Sequence, residues 1–102
     1  MAEPINGTLP LMGLRSRPVL RRGAKFRHDA ARGRWVILAP ERILAPNEQA
    51  ADVLQLCDGK RTVAEIAEIL AQTYEAEPEA IASDVLLMLQ DLADAGVLNH
   101  GE

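Results

Sequence analysis

The chain contains one cysteine, Cys57, two histidines and three aromatic residues, Phe26, Trp35 and Tyr74. A single cysteine rules out an internal disulfide and points to a reducing compartment, the cytoplasm. His28 and His100 have no cysteine partner at ligand spacing, and a zinc site needs about four ligands, so no metal is expected. Three aromatics offer little stacking surface for single-stranded nucleic acid. No apolar run approaches the ~20 residues of a membrane span. The first residues, MAEPINGTLPLMGLRSRP, have neither the early basic cluster nor the long apolar centre of a signal peptide. There is no Gly-rich phosphate loop and no GxSxG nucleophile turn. After Arg61 there is no further Lys or Arg.

What is present fits one modest domain: 102 residues, 48% apolar and 25% charged. The net charge of −4 hides an asymmetry. Residues 1–45 carry nine Lys/Arg against three Asp/Glu, and residues 46–102 carry two against twelve. Such a split gives two faces of opposite potential, whose ordinary use is internal complementarity and solubility.

Residues 1–17 are broken by Pro4, Gly7, Pro10 and Gly13 and show no period. They are expected to form a flexible tail or linker ahead of a domain spanning 18–102. Three short strands follow. The first opens at Val19-Leu20, is interrupted at Gly23 and continues through Lys25–His28. Asp29 to Gly33 makes a turn, and Trp35–Leu38 is the clearest strand, aromatic and β-branched. Pro40-Glu41 turns the chain into a third strand, Arg42–Ala45. Short connections favour an antiparallel meander.

Three helices are then expected. The first spans 47–57, with Asn47 as N-cap and Gly59 as the stop. The second spans 63–75, opened by the capping box Thr62-x-x-Glu65, with Val63, Ile66, Ile69, Leu70 and Tyr74 as its apolar stripe. The third spans 78–95 and opens on Pro78 and Glu79. On it Ile81, Val85, Met88 and Leu92 form a narrow stripe, Leu89 flanks it, and Ala82, Leu86 and Ala93 widen it. Leu87 falls on the far side with Asp84, Asp91 and Asp94. The fold class is therefore α+β, a three-stranded antiparallel sheet followed by three helices, winged helix-turn-helix-like in outline.

Catalytic chemistry has no carrier here. Cys57 lies on an apolar face beside Asp58, which raises a thiol pKa, so a small core residue is the better reading. The basic run from Arg15 to Arg34 suggests nucleic acid, and winged helices often bind DNA. The third helix opposes that reading, because Asp84, Asp91 and Asp94 would meet phosphates with repulsion. What remains is backbone. The third strand is expected at a sheet edge, where unpaired N–H and C=O groups can take an added peptide strand.

The stretch from Arg34 to Thr62, RWVILAPERILAPNEQAADVLQLCDGKRT, resembles the PqqD family of pyrroloquinoline quinone biosynthesis. The resembling parts are Trp35–Leu38, the Pro40-Glu41 turn, Arg42–Ala45, Gln49–Leu56, the Asp58-Gly59 stop and the Thr62-Val63 helix start, and the likeness extends over roughly 18–98. The resemblance implies a non-catalytic peptide chaperone, a recognition element for ribosomally made, modified peptides, with no cofactor of its own. Its implied partners are the precursor peptide PqqA and the radical S-adenosylmethionine enzyme PqqE, with no nucleic acid and no membrane. The implied site takes the peptide as an added strand between Arg42, Ile43, Leu44 and Ala45 on one side and Val85, Leu86, Leu89 and Ala93 of the third helix on the other. Basic residues near the sheet are expected to draw an acidic peptide. Some PqqD-like domains are fused behind the synthase PqqC, and residues up to Arg17 fit the place of such a linker. A homodimerisation module and a DNA-binding winged helix stand as alternatives; monomer and dimer both fit an open edge.

Overall fold

In a computed structural model, residues 11–101 are described. The first strand, β1 (Val19–Leu20), does not run into the next one. A turn through Gly23, at φ 93°, separates them and is closed by the Ala24 N–H donating to the Arg21 carbonyl. Three strands then form the antiparallel meander: β2 (Lys25–Asp29), β3 (Arg34–Ala39) and β4 (Arg42–Leu44), in that spatial order. Asp29 shapes the first hairpin by accepting the Ala31 and Arg32 amides on its carboxylate, and Gly33 closes it at φ 67°.

Three helices follow: α1 (Glu48–Leu54), α2 (Val63–Tyr74) and α3 (Pro78–Asp94). Asn47 caps α1 by accepting the Ala50 amide at 2.8 Å. The Thr62–Glu65 capping box opens α2 as expected, with both reciprocal bonds present. The first helix is shorter than its apolar pattern suggests. Asp58 pairs with Val19 in an isolated bridge, and the Gly59 N–H donates to the Pro18 carbonyl at 3.0 Å. That pairing requires extended chain at 58, so the helix gives way after Leu54 to tight turns at Leu56 and Cys57. Gly59, at φ 79°, serves this crossing rather than a helix stop, and an added Cβ would lie 3.3 Å from the Val19 Cβ. After α3 the chain turns back as β5 (Leu98–Asn99), which pairs antiparallel with β1. The expected first strand is thus two elements in two sheets.

The core joins one face of the meander to all three helices. Ile37, Ile66, Leu89 and Val63 are completely buried. Cross-strand neighbours share a face, so Phe26 and Leu44, both paired with Ile37, point the same way and pack on this core. On α3 the buried centre is Val85 and Leu89, so Leu89 is central rather than flanking. On α2, Ile69 and Tyr74 leave the core and are 37% and 44% exposed, while Ala67 and Ala71 are buried in it. Leu87 is 69% exposed, as its place on the helix wheel requires.

Residues 11–17, at the end of the stretch read as a tail or linker, make defined contacts with the domain. Met12 is buried and its amide donates to the Gln90 side chain. The Val63 and Ala64 amides, the first orphan donors of α2, find acceptors in the carbonyls of Ser16 and Leu14 at 2.9 and 3.0 Å. A helix start that would otherwise lack partners therefore holds this segment in place. Residues 1–10 lie outside the described part.

Leu89→Ala removes a side chain with no exposed surface at the junction of sheet and helices. It should lower the unfolding free energy by about 2–5 kcal/mol in a urea titration.

Candidate functional site

β4 is an edge of the sheet, paired only with β3. Its turn, Pro40-Glu41, is two residues long, so Ala39 and Arg42 close the hairpin as a hydrogen-bonded pair. Bonded and non-bonded pairs alternate along an antiparallel ladder. Leu44 therefore bonds Ile37, and Ile43, opposite Leu38, turns its own N–H and C=O outward. The Ile43 side chain is also 69% exposed. Leu44 packs against the core and Ala45 is exposed. The Arg42 guanidinium donates to the Ala95 carbonyl at 3.1 Å. A cation suits the negative end of α3, and this contact ties the edge strand to the helix terminus.

A groove of about 270 Å³ lies between the three helices. Val53 of α1, Leu70 and Tyr74 of α2 and Ile81, Val85 and Met88 of α3 supply apolar wall, and Gln49 and Asp84 supply polar groups. Tyr74 reaches across to α1, its hydroxyl donating to Asp52, which together with burial holds the phenol pKa above its ordinary value. A larger cleft of about 620 Å³ lies between the β2–β3 hairpin and the start of α1, with His28, Arg34 and Trp35 facing Glu48 and Asp52. Trp35 there stacks on Phe26 with ring centroids 4.5 Å apart and meets His28 edge-on.

Of the four strand residues read from the sequence, Arg42, Ile43 and Leu44 form β4, and Ala45 follows it outside the strand. The four helix residues divide. Val85 and Leu89 are 3% and 0% exposed, so they form floor rather than contact surface. Leu86 and Ala93 are half-buried and share their side of α3 with Gln90, to which Met12 is bonded. The groove instead exposes Ile81, Asp84 and Met88, which sequence reasoning gave to the core stripe or the solvent face. Only the position of Met12 and α1 beside α3 separates these two sides.

Among the described residues no cluster of three or more His, Cys, Asp or Glu could hold a metal, and no helix is long and apolar enough to cross a membrane. Cys57 is buried, donates to the Val53 carbonyl at 3.3 Å, and has its thiol pushed up to about 12, first by burial and then by Asp58. Asp58 itself is held below the usual carboxylate range by the Arg61 and Lys60 amides it accepts.

A three-stranded meander followed by three helices is the winged helix-turn-helix-like fold of a peptide recognition element. The solved structure of the PqqD truncation of Methylobacterium extorquens PqqCD, described as a functional and stand-alone RiPP recognition element, superposes with a TM-score of 0.71 at 48% identity, covering 80% of this chain and 87% of that one. Residues 34–98 match the family "Coenzyme PQQ synthesis protein D (PqqD)", and the chain belongs to that family. A PqqA binding protein of Bradyrhizobium diazoefficiens is 59% identical over 85 residues, 83% of this chain and 82% of the relative. The bifunctional coenzyme PQQ synthesis protein C/D of Methylorubrum extorquens is 48% identical over 83 residues, which span 81% of this chain and 22% of that protein.

Two outcomes are expected. In hydrogen exchange on the free protein, the Ile43 amide should exchange much faster than that of Leu44, whereas full pairing of both would protect them alike. The Cys57 thiol should resist iodoacetamide at pH 8 until the chain unfolds. Because its pKa is raised from 9.0 to about 12 by folding, stability should fall as pH rises from 9 towards 12, where the unfolded thiol ionises and the native one does not.

Proposed function

We propose that this chain is a non-catalytic recognition element in pyrroloquinoline quinone synthesis, which binds the precursor peptide PqqA and presents it to the radical S-adenosylmethionine enzyme PqqE. The observation that carries the reading is the open β4 edge, joined through Arg42 to the end of α3 in a member of the PqqD family. The relative from Bradyrhizobium diazoefficiens is named for PqqA binding. The peptide adds as a strand outside β4, bonding the outward N–H and C=O of Ile43. Arg42, Leu44 and Ala45 frame that strand, and α3 supplies the second wall through the side carrying Ile81, Asp84 and Met88. Leu86 and Ala93 take the smaller part, since their side of the helix faces the Met12 segment. Backbone pairing sets affinity, and side-chain pockets set register. The reaction belongs to the partner enzyme, which is why this chain needs no nucleophile or metal. A lone buried thiol suits the cytoplasm.

An acidic third helix weighs against DNA: Asp84, Asp91 and Asp94 are exposed on it, with no Lys or Arg on that helix.

Ile43→Pro removes the outward donor without removing a β3–β4 bond, and proline is tolerated at such an edge. It should leave the fold intact by amide spectra yet weaken binding of synthetic PqqA by roughly tenfold or more, since donor and strand geometry are lost together. Titration calorimetry reads this directly; undiminished affinity in a folded variant would sink strand addition at β4.

A further inference from the structure

From the α1–α3 groove we infer that it is a subsite for one long cationic side chain, a lysine or arginine, of the bound precursor peptide. The inference rests on the peptide-binding reading above and specifies what that peptide must carry.

Size comes first. The groove measures about 270 Å³, just below the ~300–1,000 Å³ of small-molecule sites, so it suits a side chain rather than a cofactor. Its position is the second point. α3 runs from this groove, at Ile81–Met88, to the Arg42 contact at Ala95, and α1 follows β4 after only residues 45–47. A strand laid on β4 and continuing past Leu44 is carried towards the groove.

Chemistry then selects the occupant. The walls are apolar, with Ile81 and Met88 on one side and Val53 on the other. One carboxylate, Asp84, stands among them, and Gln49 is the other polar residue of the lining. Asp84 belongs to no ion pair within the described residues, where the pairs are Arg32–Asp29 and Arg61–Asp58. No Lys or Arg lies on α2 or α3 to neutralise it, while Asp91 adds a second exposed negative charge two turns further along the helix. An alkyl stem lying on Met88 and Ile81 with a cationic head at Asp84 satisfies both halves of the site, as long basic side chains do elsewhere on amphipathic surfaces. The basic sheet draws acidic residues of the peptide, and the groove takes a basic one, so the two charges of the peptide are read on different walls.

The test uses the full chain, the synthetic precursor peptide and a set of that peptide in which each Lys or Arg is changed singly to Gln or to Glu. Asp84 is exposed, so Asp84→Asn and Asp84→Lys should fold, which amide spectra verify. Asp84→Asn should weaken binding roughly three- to tenfold and flatten its salt dependence. One Gln peptide should bind wild type and Asp84→Asn equally, and the matching Glu peptide should bind Asp84→Lys better than wild type does. If Asp84→Asn binds every peptide as wild type does while Ile43→Pro loses binding, the cationic subsite is overturned and strand addition stands. If both variants bind as wild type does, strand addition falls and this inference with it. A peptide that carries no Lys or Arg, or that does not bind at all, also overturns it.

Discussion

Covering one face of a three-stranded meander is the constraint from which the rest of this molecule follows. So small a sheet cannot stand alone, and Ile37 at its centre must be shut away from water. Leu89 of α3 and Ile66 of α2 do this, and all three residues have no exposed surface. Once the helices are committed to that face, they leave the edge of β4 uncovered. The open edge and the hydrophobic core are therefore two consequences of one arrangement. Natural sheets ordinarily blunt such an edge, and here a short strand and the Arg42 contact at the helix terminus do part of that work.

The charges sort with the same geometry. Lys25 and Arg27 lie opposite Leu38 and Val36, on the sheet face away from the core, while on α3 Asp91 and Asp94 are exposed and Asp84 lines the groove. The pairing residues therefore sit between a basic face and an acidic helix. Leu87, 69% exposed, has Asp84 and Asp91 about one turn to either side of it.

Much of the fold was legible because local chemistry agreed with the tertiary arrangement. Thr62 and Glu65 define a helix start by their own side chains, Asn47 does the same for α1, and Pro40-Glu41 permits only a tight turn. The edge at Arg42–Ala45 was legible for a related reason, since the last strand of a meander has one neighbour. Long-range pairing governs the elements that local chemistry does not define. Val19-Leu20 looks continuous with Lys25–His28 until β5 returns to pair with it, and the α1 pattern runs through Cys57 until Asp58 is taken by Val19. The segment 11–17, irregular in sequence, is ordered by the unpaired amides at the start of a helix some fifty residues away.

The meander from Lys25 to Leu44, the order of the three helices and the family follow from neighbouring residues and their spacing. Which side of α3 is free depends on packing from distant parts of the chain. Its wheel offers Leu86 and Ala93 on one flank and Ile81, Asp84 and Met88 on the other, with Val85 and Leu89 between them in the core. The two flanks differ little in apolar character, so periodicity cannot choose. Packing chooses: Met12 is bonded to Gln90 on the first flank, and α1 leaves a groove along the second.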